Sequence, residues 1–345
     1  MLPTDANVGQ RDRVAAGEGG ALVSGDGHGL PPIIGESPAI RRARHLIERY
    51  APSRLPILIV GATGTGKELV AQHIHAQSRR QGRFVAVNCG ALPAEMGEGL
   101  LFGHRRGAFS GAIESRRGYL ECSTGGTLFL DELLSLPEAG QVKLLRVLEA
   151  GEVQPLGEEE PRSLDLRIVA AVQDDARQGL HSGSFRRDLF QRLAGIVIEL
   201  PPLVKRPVDV PPLAAHFAHL QGRVLEPAAS CALLAHCWAG NVRELRQVIE
   251  RAGYLVSNGT LPPEAVREAI ALGALPGAEA AGPREDAGAV PARGVRDRSL
   301  LAACQAQAWH ATRTAAALQI SRATLYRRLR VIGVSLREQK KLFHD

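Results

Sequence analysis

The run Leu55-Pro56-Ile57-Leu58-Ile59-Val60 leads into Gly61-Ala62-Thr63-Gly64-Thr65-Gly66-Lys67-Glu68. An apolar, partly β-branched strand pattern stops at a glycine, and a helical pattern follows from Glu68 to about Ala76. Glycines let backbone N–H groups crowd around a phosphate, and a helix N-terminus adds its positive dipole. Lys67 would carry a cation to the β/γ-phosphates. An ordinary glycine turn is the plain alternative, and the flanking strand and helix favour the phosphate loop. One position departs from the general motif: Glu68 stands where a Ser or Thr would hold magnesium.

Outward from this loop, strand-like runs alternate with helical ones at Ile57–Val60, Phe84–Asn88, Thr127–Leu130, Leu166–Val172 and Ile196–Leu200. That alternation predicts an α/β fold with a mainly parallel sheet over residues 31–206. Ser37-Pro38 is read as a cap and first position of a helix carrying Ile40, Ala43, Leu46 and Ile47. Only helical patterns remain over 207–272, which predicts an all-α lid. Residues 1–30, rich in Gly, Asp and Ala, are read as a disordered leader, and 273–296, rich in Ala, Gly and Pro, as a flexible linker. The basic helical pattern of 297–345 completes the chain.

Composition narrows the class. The 345 residues are 45% hydrophobic and 23% charged, as in globular proteins. Apolar runs are too short to cross a bilayer, and the N-terminus has no secretory pattern, so a cytoplasmic protein without a membrane partner is expected. The five cysteines include no CxxC pair, which fits reduced thiols. Net charge is +6, and residues 296–345 hold ten Lys/Arg against three Asp/Glu, leaving the remainder slightly acidic. A basic C-terminus of this kind points to nucleic acid.

Gly125-Gly126-Thr127-Leu128-Phe129-Leu130-Asp131-Glu132 is an apolar strand pattern ending in two carboxylates. Beside a phosphate loop, Asp131 would hold Mg2+ and Glu132 would polarise the attacking water. An acidic helix cap is the bland alternative. With Leu101-Phe102-Gly103-His104-Arg105-Arg106-Gly107-Ala108-Phe109-Ser110-Gly111-Ala112, these segments resemble the AAA+ domain of the bacterial enhancer-binding proteins, activators of sigma-54 RNA polymerase. The resemblance covers roughly 31–270 and the C-terminal module, and that family carries Glu after the P-loop lysine.

The resemblance implies an ATPase with a parallel sheet and helical lid, using ATP and Mg2+ and assembling from dimers to a ring, expected to be a hexamer. It implies that Asn88 restrains the glutamate, that Arg186 and Arg192 are arginine fingers acting on a neighbouring subunit's nucleotide, and that Arg243 is the second sensor. Residues 61–68, Gly125, Gly126 and Gln173 would line the nucleotide. The segment Gly107-Ala108-Phe109-Ser110-Gly111-Ala112 would grip sigma-54, with an exposed Phe109 at its tip. Two departures stand out: Ala171-Val172-Gln173 replaces Ala-Thr-Asn at the sensor strand, and Ala239 replaces a proline. The first leaves open a DNA-binding regulator that binds nucleotide with weak or no hydrolysis. With no regulatory domain legible ahead of the ATPase, a trans-acting regulatory protein is one expected source of control.

In the basic module, Leu300, Leu301 and Cys304 start one helix, Arg313–Leu318 forms a second, and Ser321 caps a third over Arg322–Ile332. Leu325, Leu329 and Ile332 share a stripe, whereas Tyr326, Arg327 and Arg330 face away. An apolar inner stripe under an arginine-rich face suits the major groove. The module resembles a Fis-type helix-turn-helix, which implies that Arg313, Ser321, Arg322, Thr324, Tyr326, Arg327, Arg328 and Arg330 meet double-stranded enhancer DNA.

Overall fold

Strand runs apolar on both faces need helices on both sides, and the chain folds accordingly. The computed structural model describes residues 20–23, 29–93, 95–109, 111–173, 183–273, 304, 310–317, 325, 326 and 329. Its main sheet contains β1 (Gly20–Val23), β2 (Ile57–Gly61), β3 (Phe84–Asn88), β4 (Thr127–Asp131), β5 (Arg167–Val172) and β6 (Ile196–Leu200), in the order β1-β3-β4-β5-β2-β6. β2 to β6 pair in parallel, as expected. β1 corrects the reading of 1–30 as a disordered leader: Gly20–Val23 pairs antiparallel with the open edge of β3. Residues 1–19 and 24–28 lie outside the described residues.

The period-2 alternation of side chains divides the sheet between two cores. Leu58, Val85, Val87, Leu128, Leu130 and Ala170 face α3 (Gly97–Phe102), α4 (Tyr119–Cys122), α5 (Glu138–Ala150) and α6 (Arg187–Leu193). Ile57, Ile59, Ala86, Phe129, Val169 and Ala171 face α1 (Pro38–Tyr50) and α2 (Lys67–Gln77). Ser37 caps α1 as predicted, accepting from the Ile40 N–H with Pro38 inside the first turn.

The lid consists of α7 (Val210–His219), α8 (Ala229–Ala235), α9 (Asn241–Tyr254) and α10 (Pro263–Ala271) around Leu213, Leu233, Trp238, Leu245, Ile249 and Val266. Its all-helical reading is corrected by a short parallel pair, Val224–Leu225 with Thr260–Leu261. A second unforeseen pair, Glu152–Val153 with Arg162–Ser163, projects between α5 and β5. No helix among the described residues is long and apolar enough to cross a membrane.

Further on, α11 (Ala311–Ala317) begins two residues before the expected second helix. Leu325 and Leu329 are buried and Tyr326 is exposed, as the stripe requires. The expected linker after Gly273 and the DNA-facing candidates Ser321, Arg322, Thr324, Arg327, Arg328 and Arg330 lie outside the described residues.

Strand register positions the site. Asn88 lies opposite Asp131, and Val60 lies opposite Val172. The C-terminal ends of β2, β3, β4 and β5 therefore share one edge, the edge at which open α/β sheets bind ligands.

Candidate nucleotide site

The loop after β2 is tightly bonded. Lys67, largely buried, donates through Nζ to the carbonyls of Gly61 (2.9 Å) and Ala62 (3.3 Å), which holds its ammonium across the loop. Thr65 Oγ1 donates to Ala62 O at 2.7 Å. Gly64 and Gly66 have φ values of 78° and 103°, open to glycine at no steric cost. A Cβ on Gly64 would also lie 2.4 Å from Gly240 O, so the lid comes within contact of the loop. α2 starts at Lys67 and presents its N-terminus to the same space, while Glu68 is exposed.

β4 delivers the two carboxylates. Asp131 Oδ1 accepts from the Glu132 N–H at 2.9 Å, and Glu132 adopts a left-handed conformation, φ 51°. That turn swings the Glu132 carboxylate toward the end of β3. A Cβ on Gly90 would lie 2.5 Å from Glu132 Oε2 and 3.3 Å from Asn88 Oδ1, so both side chains border the space over Gly90. Asn88 Oδ1 itself accepts from the N–H groups of Gly90 (2.8 Å) and Ala91 (3.2 Å), which caps the short turn after β3. Beneath them, burial and then the charges of Asp131 and Glu132 push the Cys89 thiol up to about 12. The thiol stays neutral and inert beside the carboxylates.

Gln173 emerges exposed from β5 after the buried Ala171 and Val172. Arg243 donates its backbone N–H to Gly64 O at 3.3 Å. Its exposed side chain lines a cleft of about 530 Å³ with Thr63, His236, Glu244, Gln247 and Arg251. The placement of Gly125 and Gly126 is corrected. They precede β4, Gly126 lying five residues or about 17 Å from Asp131, and Arg83 and Gly82 pass Gly126 too closely for a side chain there. Arg186 and Arg192 are exposed, their guanidiniums engaging Asp188 (2.6 Å) and the Leu148 carbonyl (3.4 Å).

Sequence reading missed an apolar slot beside the loop, lined by Ile33, Ile34, Gly66, Val70, His216 and Phe217. Ile33-Ile34 carries no motif of its own in the sequence. Its partners come from the lid.

The segment from Gly107 to Ala112 forms a hairpin above α3. Gly107 N–H donates to Ala112 O (2.8 Å), and His104 and Arg116 bridge its base. The exposed-tip expectation for Phe109 is corrected. The ring is half-buried, edge-on to His104 at 5.0 Å between centroids and close over Gly99, which leaves room for it. Ile113, 79% exposed, is the large apolar residue the hairpin presents. Ser110 lies outside the described residues.

Comparison with known proteins matches this arrangement. Residues 33–199 match the sigma-54 interaction domain and residues 205–281 the AAA+ ATPase lid domain. The chain is 41% identical over 315 residues to the C4-dicarboxylate transport transcriptional regulatory protein DctD of Rhizobium meliloti, covering 88% of this chain and 65% of that one. To the transcriptional regulatory protein ZraR of Klebsiella oxytoca it is 38% identical over 312 residues, covering 86% and 68%. Crystalline NtrX from Brucella abortus in complex with ADP superposes at a TM-score of 0.67 with 33% identity, covering 88% of this chain and 70% of that one. The chain belongs to the sigma-54-dependent transcriptional regulators and carries their AAA+ domain. It spans 65% of DctD and 44% of the nitric oxide reductase regulator NorR1 of Cupriavidus necator.

Proposed function

We propose that this protein is an ATP-hydrolysing transcription activator that binds upstream enhancer DNA and remodels sigma-54 RNA polymerase for open-complex formation. One observation carries the reading: Lys67, Asp131, Glu132 and Asn88 emerge from one edge of a parallel sheet, with Arg243 of the lid beside them. Backbone N–H groups of the loop and Lys67 bind the phosphates, and the apolar slot at Ile33, Ile34 and Phe217 accepts the adenine. Glu132 takes the proton of the attacking water while ATP is split to ADP and phosphate. Asn88, bordering the same space over Gly90, is placed to hold that carboxylate until nucleotide is bound.

The donor set fits magnesium. Asp131 ends β4 at the loop's edge of the sheet, and one or two carboxylates with substrate phosphates are how this ion is usually held. Asp131 would hold Mg2+, which neutralises charge on the phosphates. Arg186 and Arg192, exposed away from their own loop, suit insertion into a neighbouring copy's site, so the active form is a ring. Residues 297–345 bind DNA, a reading supported by buried Leu325 and Leu329 beneath exposed Tyr326.

A steady-state ATPase assay tests the core of this. Wild-type turnover that Glu132→Gln abolishes is expected, and a wild-type chain without turnover sinks the enzyme reading. Phe109→Ala should lose sigma-54-dependent transcription with ATPase retained.

A further inference from the structure

Three successive peptide planes of the phosphate loop are held from outside it. Thr63 O accepts from Asn241 Nδ2 at 2.9 Å. Gly64 O accepts from the Val242 and Arg243 N–H groups at 2.9 and 3.3 Å. Thr65 O accepts from Arg206 Nη2 at 3.2 Å. A planar trans peptide points its C=O and N–H in opposite directions. Fixing the carbonyls of Thr63 and Thr65 therefore fixes where the N–H groups of Gly64 and Gly66 point, which is away from the lid contacts.

Both side chains are themselves firmly rooted. Asn241, 3% exposed, adopts φ 55°, a region Asn tolerates, and its Oδ1 accepts from the Leu203 N–H at 2.7 Å. Arg206, also 3% exposed, donates through Nε to Pro201 O at 3.0 Å and faces Asp209 at 3.6 Å. Asp209 in turn accepts from Glu36 N (2.6 Å), Ser37 N (2.8 Å) and Ser37 Oγ (2.6 Å). The loop is thus gripped by two side chains, Asn241 rooted at the junction of β6 with the lid and Arg206 rooted through Asp209 at the start of α1.

We infer that Asn241 and Arg206 are positioning residues for nucleotide binding, which set the phosphate affinity of Gly61–Lys67 by orienting its peptide groups without touching the nucleotide. The inference rests on the reading of that loop as a phosphate site. It separates these residues from ones that merely join lid to sheet, because a join would affect melting temperature alone.

The test uses the full chain and ADP as the probe, with the dissociation constant read by titration calorimetry. Asn241→Gly, which suits the left-handed backbone, should weaken ADP about tenfold, the loss of one buried hydrogen bond. Asn241→Asp still accepts from Leu203 but opposes the Thr63 carbonyl with a charge, and should weaken ADP further. Arg206→Lys keeps the charge beside Asp209 yet cannot serve Pro201 O and Thr65 O together, and should act like Asn241→Gly. In each variant KM for ATP should rise while kcat changes less than about threefold. Variants that bind ADP within twofold of wild type, whatever their melting temperatures, overturn the inference. A wild type that binds ADP without hydrolysing ATP sinks only the enzyme reading, whereas a wild type that binds no ADP overturns both.

Discussion

Two glycine-rich loops of this chain use the same residue for opposite ends. In the phosphate loop, a Cβ on Gly61 would strike Leu200 O at 2.7 Å and one on Gly64 would strike Gly240 O at 2.4 Å. At these two positions glycine lets packed backbones approach one another, whereas Gly66, with φ 103° and nothing within 4 Å of a Cβ, provides only a turn. In the 107–112 hairpin, Gly107 and Gly111 have φ of 81° and 111°, yet a Cβ on either would meet nothing within 4 Å. Glycine there provides only the turn. The first loop is therefore preorganised by its surroundings, and the second is held at its base. The bonds at that base run from His104 to Arg116 and from Arg105 N–H to Leu156 O at 2.9 Å. The contrast is between a loop fixed from several sides and one fixed only at its base.

Alanine substitution breaks the comparison most sharply. Gly64→Ala adds a clash with the lid to an unfavourable φ, and should lower ADP affinity and ATPase at least about 100-fold. Gly107→Ala carries backbone strain alone, about 1 kcal/mol. It should lower the melting temperature by about 2–4 °C and leave ATPase within about twofold. Comparable ATPase losses from the two would erase the distinction. Gly90→Ala should fall between them. Its methyl would displace the Glu132 carboxylate, lowering kcat more than about tenfold while ADP affinity stays at the wild-type level. An equal loss of affinity would mean that Gly90 supports binding rather than hydrolysis.

How much of this was legible follows from the range of the interactions. The strands were readable almost to the residue because parallel strands buried on both faces give continuous apolar runs such as Leu128-Phe129-Leu130. The loop and its two carboxylates were readable because their chemistry is local. Asn241 was not recognised as a loop anchor because its partner Thr63 lies 178 residues away, and no local pattern encodes that contact. Gly125-Gly126 misled because glycine beside a strand suggests a ligand loop, although their place before Thr127 puts them at the end of β4 opposite Asp131. Phe109 misled because its burial depends on the space over Gly99, a residue that spacing alone did not single out.

Acid should weaken the two regions in different pH windows. On the phosphate-loop side, the last turn of α2 carries His75, whose Nδ1 meets Thr127 Oγ1 at 2.9 Å at the start of β4. Burial, and secondarily the Arg80 charge, lower its pKa below 6.5. A histidine held neutral in this way stabilises fully above its unfolded value and loses that contribution as pH falls from about 6.5 through the folded pKa. Between pH 7 and 5 the melting temperature should therefore fall more steeply for wild type than for His75→Gln. Parallel curves would remove His75 as the cause.

The smallest effect belongs to the hairpin's base. Arg105 Nε donates to Glu158 Oε1 at 3.0 Å, and Arg162 reaches Glu158 at 2.5 Å and Glu121 at 2.6 Å. Burial pushes the Glu158 carboxyl up, but the Arg105 and Arg162 hydrogen bonds outweigh it and hold the pKa below 4.5. A lowered carboxyl contributes above its unfolded pKa and loses that contribution only as pH falls through the folded one. The hairpin's ionic support should thus persist through the range in which His75 titrates and fail at more acid pH. Pairs whose arginine partners are this exposed contribute little, so Glu158→Gln should shift the melting temperature at pH 7 by less than about 2 °C and leave ATPase unchanged. The shift should vanish at acid pH, where wild-type Glu158 is protonated too. A larger shift at pH 7, or any loss of ATPase, would mean that the hairpin is braced as tightly as the phosphate loop.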